Sequence, residues 1–462
     1  MLTELSMENF KSWKSIAGMR LAPITGLFGS NSSGKSSILQ ILLLIKQSAE
    51  SVDPAQVINL GDDRSPVRLG SFRDVIFDHD QKLALKFGIK WEVHTPENLK
   101  IFDAISESPD PRKYEFRSSL VADSSGRVGV DGLYVLSGRF RTLVEGSQNF
   151  PGRFACKFFY DRSTGSAVVP PTEIDDQPAP QRFDAPPVPS AEVLKGMDPL
   201  AGLLISTHSG RTVVLGSMFS NVFYLGPLRD RPQRTYLWRG VATTGVGYSG
   251  ERTMDVMLTD RSARAGSENK LPITLESEVS VWLRILGLAN GAQLTPVSEN
   301  GDIFEIQMAS GPGAANVLLP DVGFGVSQVL PVIVLCCSAP KGSTIILEQP
   351  EIHLHPAAQS GLADLFIYTS KHRGVQIIFE SHSEHLLRRL QRRIAEDKLD
   401  ASQAALYFCQ RGGAAGSKLS ELELDEFGNI KNWPKGFFGD EFGEMAALAK
   451  AALHKKSKVP PS

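Results

Sequence analysis

The chain has 462 residues, 42 % of them hydrophobic and 22 % charged, ordinary values for a globular protein whose length needs no disulfide or metal staple. Its 49 Lys and Arg against 51 Asp and Glu leave a net charge of −2, which excludes a globally basic nucleic-acid binder and leaves only local basic patches. At roughly 100–200 residues per domain, the length predicts two to four domains or one with large insertions.

The four cysteines, Cys156, Cys336, Cys337 and Cys409, form no C-x-x-C pair. Their spacing suits a reducing compartment rather than a disulfide framework. Met1–Glu8 carries acids and no apolar run, so no signal peptide is expected. The longest apolar stretch, Val329–Cys337, is about half of the ~20 residues that span a bilayer. A cytoplasmic protein without a membrane partner is the expectation.

In chain order, Met1–Gly29 reads as strands broken near Lys11 and Ser12, the last being Ile24–Phe28. Lys35–Gln47 reads as a helix that buries Ile38, Leu39, Ile41, Leu42 and Ile45. Leu83, Leu85, Phe87, Ile89 and Trp91 then recur at every second residue, the period of a half-buried strand. Similar stretches around Phe116, Val135 and Phe158 extend this pattern into an antiparallel meander. Pro170–Pro189 is rich in proline, which removes backbone donors and predicts an extended linker. From Ser327 onward helix and strand alternate: a helix to Cys337, strand Thr344–Glu348, a helix from Pro356, strand Val375–Phe379 and a helix from Ser383. Such alternation predicts a parallel sheet covered by helices.

One motif carries most of the chemistry. Gly29, Ser30, Asn31, Ser32, Ser33, Gly34, Lys35 and Ser36 satisfy G-x-x-x-x-G-K-[ST] between a strand and a helix, with Ser37 following. Glycines let backbone N–H groups turn inward on phosphates, and the helix N-terminus adds a favourable dipole. Lys35 reaches the β- and γ-phosphates in such a loop, and the Ser36 hydroxyl ligates Mg²⁺. Further along, an apolar strand delivers Glu348, an acid placed to hold Mg²⁺ together with Ser36. A second apolar strand ends in Glu380, Ser381, His382 and Ser383. Before both strands lies Asp321–Gln328, glycine-rich and leading into a helix. His353 and His355 have a spacing that suits metal, but without a third ligand nearby a structural loop is the better reading.

This order of P-loop, Gly/Ser segment, acidic strand and strand-end histidine resembles the ABC-type P-loop ATPases. More narrowly, it resembles the prokaryotic RecF-, SMC- and OLD-like group. The resemblance rests on Asn9–Trp13 (NFKSW), Gly29–Ser37, Glu348–Pro356 (EQPEIHLHP) and Ser381–His385 (SHSEH). Asn432–Phe438 (NWPKGFF) resembles a small domain of unknown function that ends one branch of the group. The likeness covers roughly residues 1–80 and 220–440.

It implies an α/β fold: an ABC-type P-loop NTPase head with a mixed sheet, an antiparallel β insertion and a helical lobe. The implied division is 1–100 and 221–420 for the two parts of the head, 101–220 for the insertion, and 421–462 for a small C-terminal segment. It also implies ATP and Mg²⁺ as cofactors. Gly323, Gly325, Ser327 and Gln328 would form a signature that caps the γ-phosphate of a second copy, and His382 would contact that phosphate. Two chains would then sandwich two nucleotides.

In the resembled ATPases the acidic strand usually ends in two acids, whereas here the pair is Glu348-Gln349. An amide orients water but cannot take its proton, and general-base help typically contributes 10²–10⁴-fold. Slow hydrolysis follows, unless Gln349 positions water adequately or Glu351 supplies the base. For nucleic acid, Arg229, Arg231 and Arg234 lie among aromatics, and Arg388, Arg389, Arg392 and Arg393 lie on the helix after His382. Phosphate contact needs such clusters, and a salt-bridged solvated face is the alternative.

The chain lacks the heptads of SMC arms, a D-x-D pair for a fused nuclease after His382, and the compactness of a transporter's nucleotide-binding subunit. The leading reading is an ATPase that senses nucleic acid and regulates a separate effector, a nuclease in phage defence. A nucleotide-gated protein scaffold and a RecF-like repair ATPase are the alternatives.

Overall fold

The computed structural model describes residues 1–51, 57–93, 112–137, 140–146, 154–162, 165–174, 219–265, 273–298, 301–309, 311 and 315–434. The chain opens with β1 (Leu2–Phe10), β2 (Trp13–Arg20) and β3 (Ile24–Gly29), which leads into α1 (Lys35–Ala49). A short α2 (Phe72–Val75) precedes β4 (Leu85–Val93), β5 (Arg112–Ala122), β6 (Val128–Ser137), β7 (Phe140–Gly146), β8 (Phe154–Arg162) and β9 (Gly165–Ile174). Then come β10 (Val222–Leu225), β11 (Tyr236–Leu237), α3 (Thr253–Ala265), α4 (Leu275–Ile285), β12 (Gly291–Pro296), β13 (Ile303–Ala309) and β14 (Val317–Leu318). The last part is α5 (Phe324–Ser338), β15 (Thr344–Glu348), α6 (Pro356–Arg373), β16 (Gln376–Glu380), α7 (Glu384–Ala395), β17 (Ala404–Gln410) and β18 (Lys418–Glu421).

A six-stranded sheet of order β10-β15-β16-β3-β17-β18 carries the site. All its pairs are parallel except β17–β18. Side-chain alternation assigns its two faces. Ile345, Leu347, Ile377, Phe379, Leu406 and Phe408 enter one core, with α5, α6 and α7 and the lobe of α3, α4, β12 and β13. Ile346, Ile378, Ala405 and Tyr407 enter the other, with α1 and the antiparallel sheet. The α/β head with a mixed sheet, an antiparallel sheet and a helical lobe is therefore present. Because α1 lies between two sheets, Leu43 and Leu44 are buried as well as the five residues of its predicted apolar face.

The antiparallel sheet runs β2-β1-β4-β5-β6-β7-β8-β9. Its later part is the meander that the alternation predicts, but it begins at Leu2 rather than at an insertion after residue 100. β4 pairs with β1 on one side and with β5 on the other. Pro170 and Pro171, expected in a linker, lie in β9. Among the described residues β9 is the outermost strand, and the ladder to β8 slips between Cys156 and Phe158. Edge and bulge are where a strand tolerates missing donors. The rest of the expected linker, from residue 175 to Pro189, and the C-terminal tail beyond Pro434 lie outside the described residues. Among the described residues no helix is long and apolar enough to cross a membrane.

One buried amide ties the two sheets together. Gln376 is 1 % exposed; its Nε2 donates to Leu2 O (2.7 Å) and Ala22 O (3.0 Å), and its Oε1 accepts from Leu2 N (2.9 Å). Orphaned buried polar groups cost about 1–3 kcal/mol each. Gln376→Ala is therefore expected to lower the unfolding free energy by about 3 kcal/mol, read as a shifted urea midpoint at unchanged slope.

Candidate functional site

The predicted loop has the backbone that its glycines demand. Gly29 has φ 141°, and a Cβ there would stand 2.3 Å from Cys409 O. Gly34 has φ 94°, and its Cβ would meet Ser12 Oγ and Trp13 Nε1 at 2.7 Å. Trp13 is fully buried and donates from Nε1 to Gly34 O at 2.9 Å, so the turn after β1 holds the loop in place. Ser32 also takes a left-handed φ of 59°. Gly34 caps α1 without a side-chain hydrogen bond, and the first turn of α1 holds no acid. The dipole and the N–H groups of this helix end are left for an anion.

A cavity of about 400 Å³ opens there, lined by Ser12, Gln40, Gln349, Glu380, His382 and the whole run Asn31–Ser37. Lys35 is 3 % exposed; its Nζ donates to Gly29 O (2.9 Å) and Ser30 O (2.8 Å) and lies 3.9 Å from Glu380 Oε1. Ser36 Oγ donates to Glu380 Oε2 at 2.7 Å. Burial lowers the Lys35 pKa and raises that of Glu380, the latter opposed by Ser36 and Lys35. Burial and then the Lys35 charge lower the His382 pKa, against a hydrogen bond with the Gly29 backbone.

The carboxylate beside Ser36 is thus not the expected Glu348. β16 lies between β15 and β3, so Glu380 is the nearer acid. Glu348 is 8 % exposed, does not line the cavity, and accepts from Tyr224 OH at 2.9 Å. Burial first, and then the charge of Glu380, push its pKa up to about 7. Gln349 does line the cavity; its φ is +45°, and its N–H donates to Glu380 O at 2.9 Å. Glu351 is buried away from the cavity, its Oε1 accepting from Ser381 Oγ (2.8 Å) and His382 N (2.7 Å). That oxygen holds the His382 backbone, while Glu351 Oε2 is buried without a protein partner.

A raised carboxyl pKa means that the folded chain holds a proton the unfolded chain has released. Between pH ~4.5 and ~7, Glu348 therefore makes stability fall as pH rises. Glu348→Gln keeps the oxygen that faces Tyr224 and removes the charge. The variant is expected to match the wild type below pH ~4.5 and to exceed it by about 1–3 kcal/mol above pH ~7, measured by denaturant unfolding across that range.

The predicted signature forms the start of α5, with Gly323 as its N-cap. Ser327 is buried and donates from Oγ to Phe324 O at 2.8 Å; Gln328 is buried too. A Cβ on Gly325 would stand 2.6 Å from His353 O, whereas one on Gly323 would meet nothing within 4 Å. None of the four lines the cavity of its own chain. Phe324 is 54 % exposed and meets the His353 ring edge-on. His355 caps α6.

The arginines divide differently from the sequence expectation. Arg229 is buried, so it is not a surface contact. Its Nη2 donates to Glu348 O at 3.2 Å, its Nε and Nη1 have no protein partner, and burial lowers its pKa to about 10. Its place follows from β10, which pairs with β15 and carries the next turn toward Glu348. Arg234 forms a fork with Asp321, and Arg231 is exposed. On α7, Arg388 pairs with Glu384, Arg389 with Asp364, Arg392 with Glu396, and Arg393 with both Asp364 and Glu396.

The donor set suits phosphates with a divalent cation. A free helix end, a buried Ser33 hydroxyl without a partner, an ammonium, a hydroxyl and a carboxylate share one cavity. Among the described residues no three His, Cys, Asp or Glu side chains are grouped to hold a metal by themselves. A cation shared with phosphate oxygens needs fewer protein ligands.

Residues 198–388 match the family described as "AAA domain, putative AbiEii toxin, Type IV TA system". That span contains the α5 segment, Glu348, Gln349, Glu380 and His382, while the P-loop precedes it. Residues 399–448 match a second family, a protein of unknown function; this span includes Asn432–Phe438, the segment with the expected resemblance. No curated protein matches the chain. Among solved structures, the chain is similar to an Smc head bound to the C-terminal winged-helix domain of ScpA, at 13 % identity and a TM-score of 0.42, covering 92 % of this chain and 98 % of that one. The SMC head domain of Thermotoga maritima gives 12 % identity and a TM-score of 0.35, covering 91 % and 99 %. An Smc head with an extended coiled coil, bound to the C-terminal domain of ScpA from Pyrococcus furiosus, gives 13 % and 0.41, covering 98 % and 99 %.

Proposed function

We propose that the chain binds ATP with Mg²⁺ in the cavity at the start of α1 and hydrolyses it slowly, and that its nucleotide state regulates a partner protein. The carrying observation is the convergence of Lys35, Ser36, Glu380, Gln349 and His382 on one cavity at an uncapped helix end. Lys35 neutralises the terminal phosphates, Ser33 and the loop N–H groups bind phosphate oxygens, and His382 faces the same anion. Mg²⁺, when bound, withdraws charge from the β- and γ-phosphates. Gln349 orients the attacking water without taking its proton, which keeps turnover low.

Two copies face each other in this reading, each offering the start of α5 to the other's nucleotide. It is supported by Gly323 having open space where a Cβ would stand and by the exposed Phe324 beside it. The regulated partner is a separate effector, and a nuclease in anti-phage defence is the setting we favour. The matched family's description names a toxin of a toxin–antitoxin system, which suits such a pairing. DNA is a weaker candidate trigger, because the four arginines of α7 are all paired with acids.

Steady-state phosphate release with Mg·ATP, with and without duplex DNA, tests the proposal. Slow release that is unchanged by DNA is expected. Stimulation by DNA restores the nucleic-acid sensor, and ATP binding without release favours a nucleotide-gated scaffold.

A further inference from the structure

Two acids end neighbouring parallel strands in register: Glu348 closes β15, Glu380 closes β16, and the two residues are paired across the ladder. Strands lie about 4.8 Å apart, and the order β15-β16-β3 puts Glu380 one strand from the P-loop strand and Glu348 two. Only Glu380 reaches Ser36, through Oε2 at 2.7 Å, while its Oε1 lies 3.9 Å from Lys35 Nζ. Glu348 is held instead by Tyr224, outside the cavity lining.

Glu380 is 3 % exposed, and a carboxylate at that depth needs a positive partner. That partner is Lys35. A nucleotide draws the ammonium toward its phosphates and brings several negative oxygens to the same cavity. Glu380 is then a buried anion beside a polyanion, a costly arrangement unless another cation joins them.

We propose that Glu380, together with the Ser36 hydroxyl, holds the divalent cation that accompanies the nucleotide. The inference rests on the nucleotide-binding reading above. It makes Glu380 the carboxylate that couples metal to nucleotide, replacing its contact with Lys35 by one with the metal. It also gives Glu380 opposite effects in the two loading states: it opposes metal-free nucleotide and favours metal-bound nucleotide.

The test uses the full chain with AMP-PNP, a non-hydrolysable ATP analogue, and Mn²⁺ as the metal probe. Mn²⁺ affinity in the presence of AMP-PNP is read by electron paramagnetic resonance, and AMP-PNP affinity in EDTA by calorimetry. Glu380→Gln is expected to weaken Mn²⁺ at least tenfold while metal-free AMP-PNP binds as well as to the wild type or more tightly. Glu380→Asp, which keeps the charge on a shorter arm, should fall between them. Mn²⁺ affinity within threefold of the wild type overturns the proposal. So does an equal loss of metal-free and metal-bound affinity, which marks Glu380 as a structural support only. A wild-type chain that binds no AMP-PNP with or without Mn²⁺ overturns the nucleotide reading itself, and this inference falls with it.

Discussion

Changing Gln349 to Glu is expected to raise steady-state phosphate release about a hundredfold. The side chain at this position lines the cavity, whereas Glu348 and Glu351 do not, and the one acid in that lining, Glu380, faces Ser36 and Lys35. Supplying a base where an amide now stands restores a contribution of typically 10²–10⁴-fold, or about 3–5 kcal/mol of barrier. The left-handed backbone at Gln349 constrains both residue types alike, so the substitution tests chemistry rather than folding. An unchanged rate would mean that the amide already positions water well enough or that the base lies elsewhere.

Lys35→Ala is expected to weaken ATP binding by about 10²–10³, or about 3–4 kcal/mol, and to abolish measurable phosphate release. Its ammonium lies at the helix end, held by Gly29 O, Ser30 O and Glu380. Lys35 itself lines the cavity, so water can enter where the ammonium stood. The fold should survive, and thermal unfolding beside the wild type checks this. Retained tight ATP binding in a folded Lys35→Ala would remove the loop from the site.

What the sequence discloses and conceals here follows from the range of the interactions involved. The P-loop, α1 and the strand bearing Glu348 are local: glycine spacing, apolar periodicity and flanking turns identify each within a dozen residues. Strand order is not local. That β16 passes between β15 and β3, and hence that Glu380 and not Glu348 meets Ser36, depends on the β16–β3 pairing, between residues more than three hundred positions apart. Glu380 did carry a signal, as an acid at the end of an apolar strand just before His382. The burial of Arg229 was hidden for the same reason, since linear proximity to Arg231 and Arg234 says nothing of the β10–β15 pairing that turns it beneath Glu348. The antiparallel strands were visible by their alternation. Their continuity with β1 and β2 was not, because a strand's pattern does not name its neighbour.

Titrating the purified chain with ATP and Mg²⁺ in a calorimeter decides whether the cavity at the start of α1 is a nucleotide site. Saturable binding of one nucleotide per chain is expected, competed by ADP and lost in Lys35→Ala. Absence of saturable heat up to millimolar ATP, with a folded chain, would contradict it.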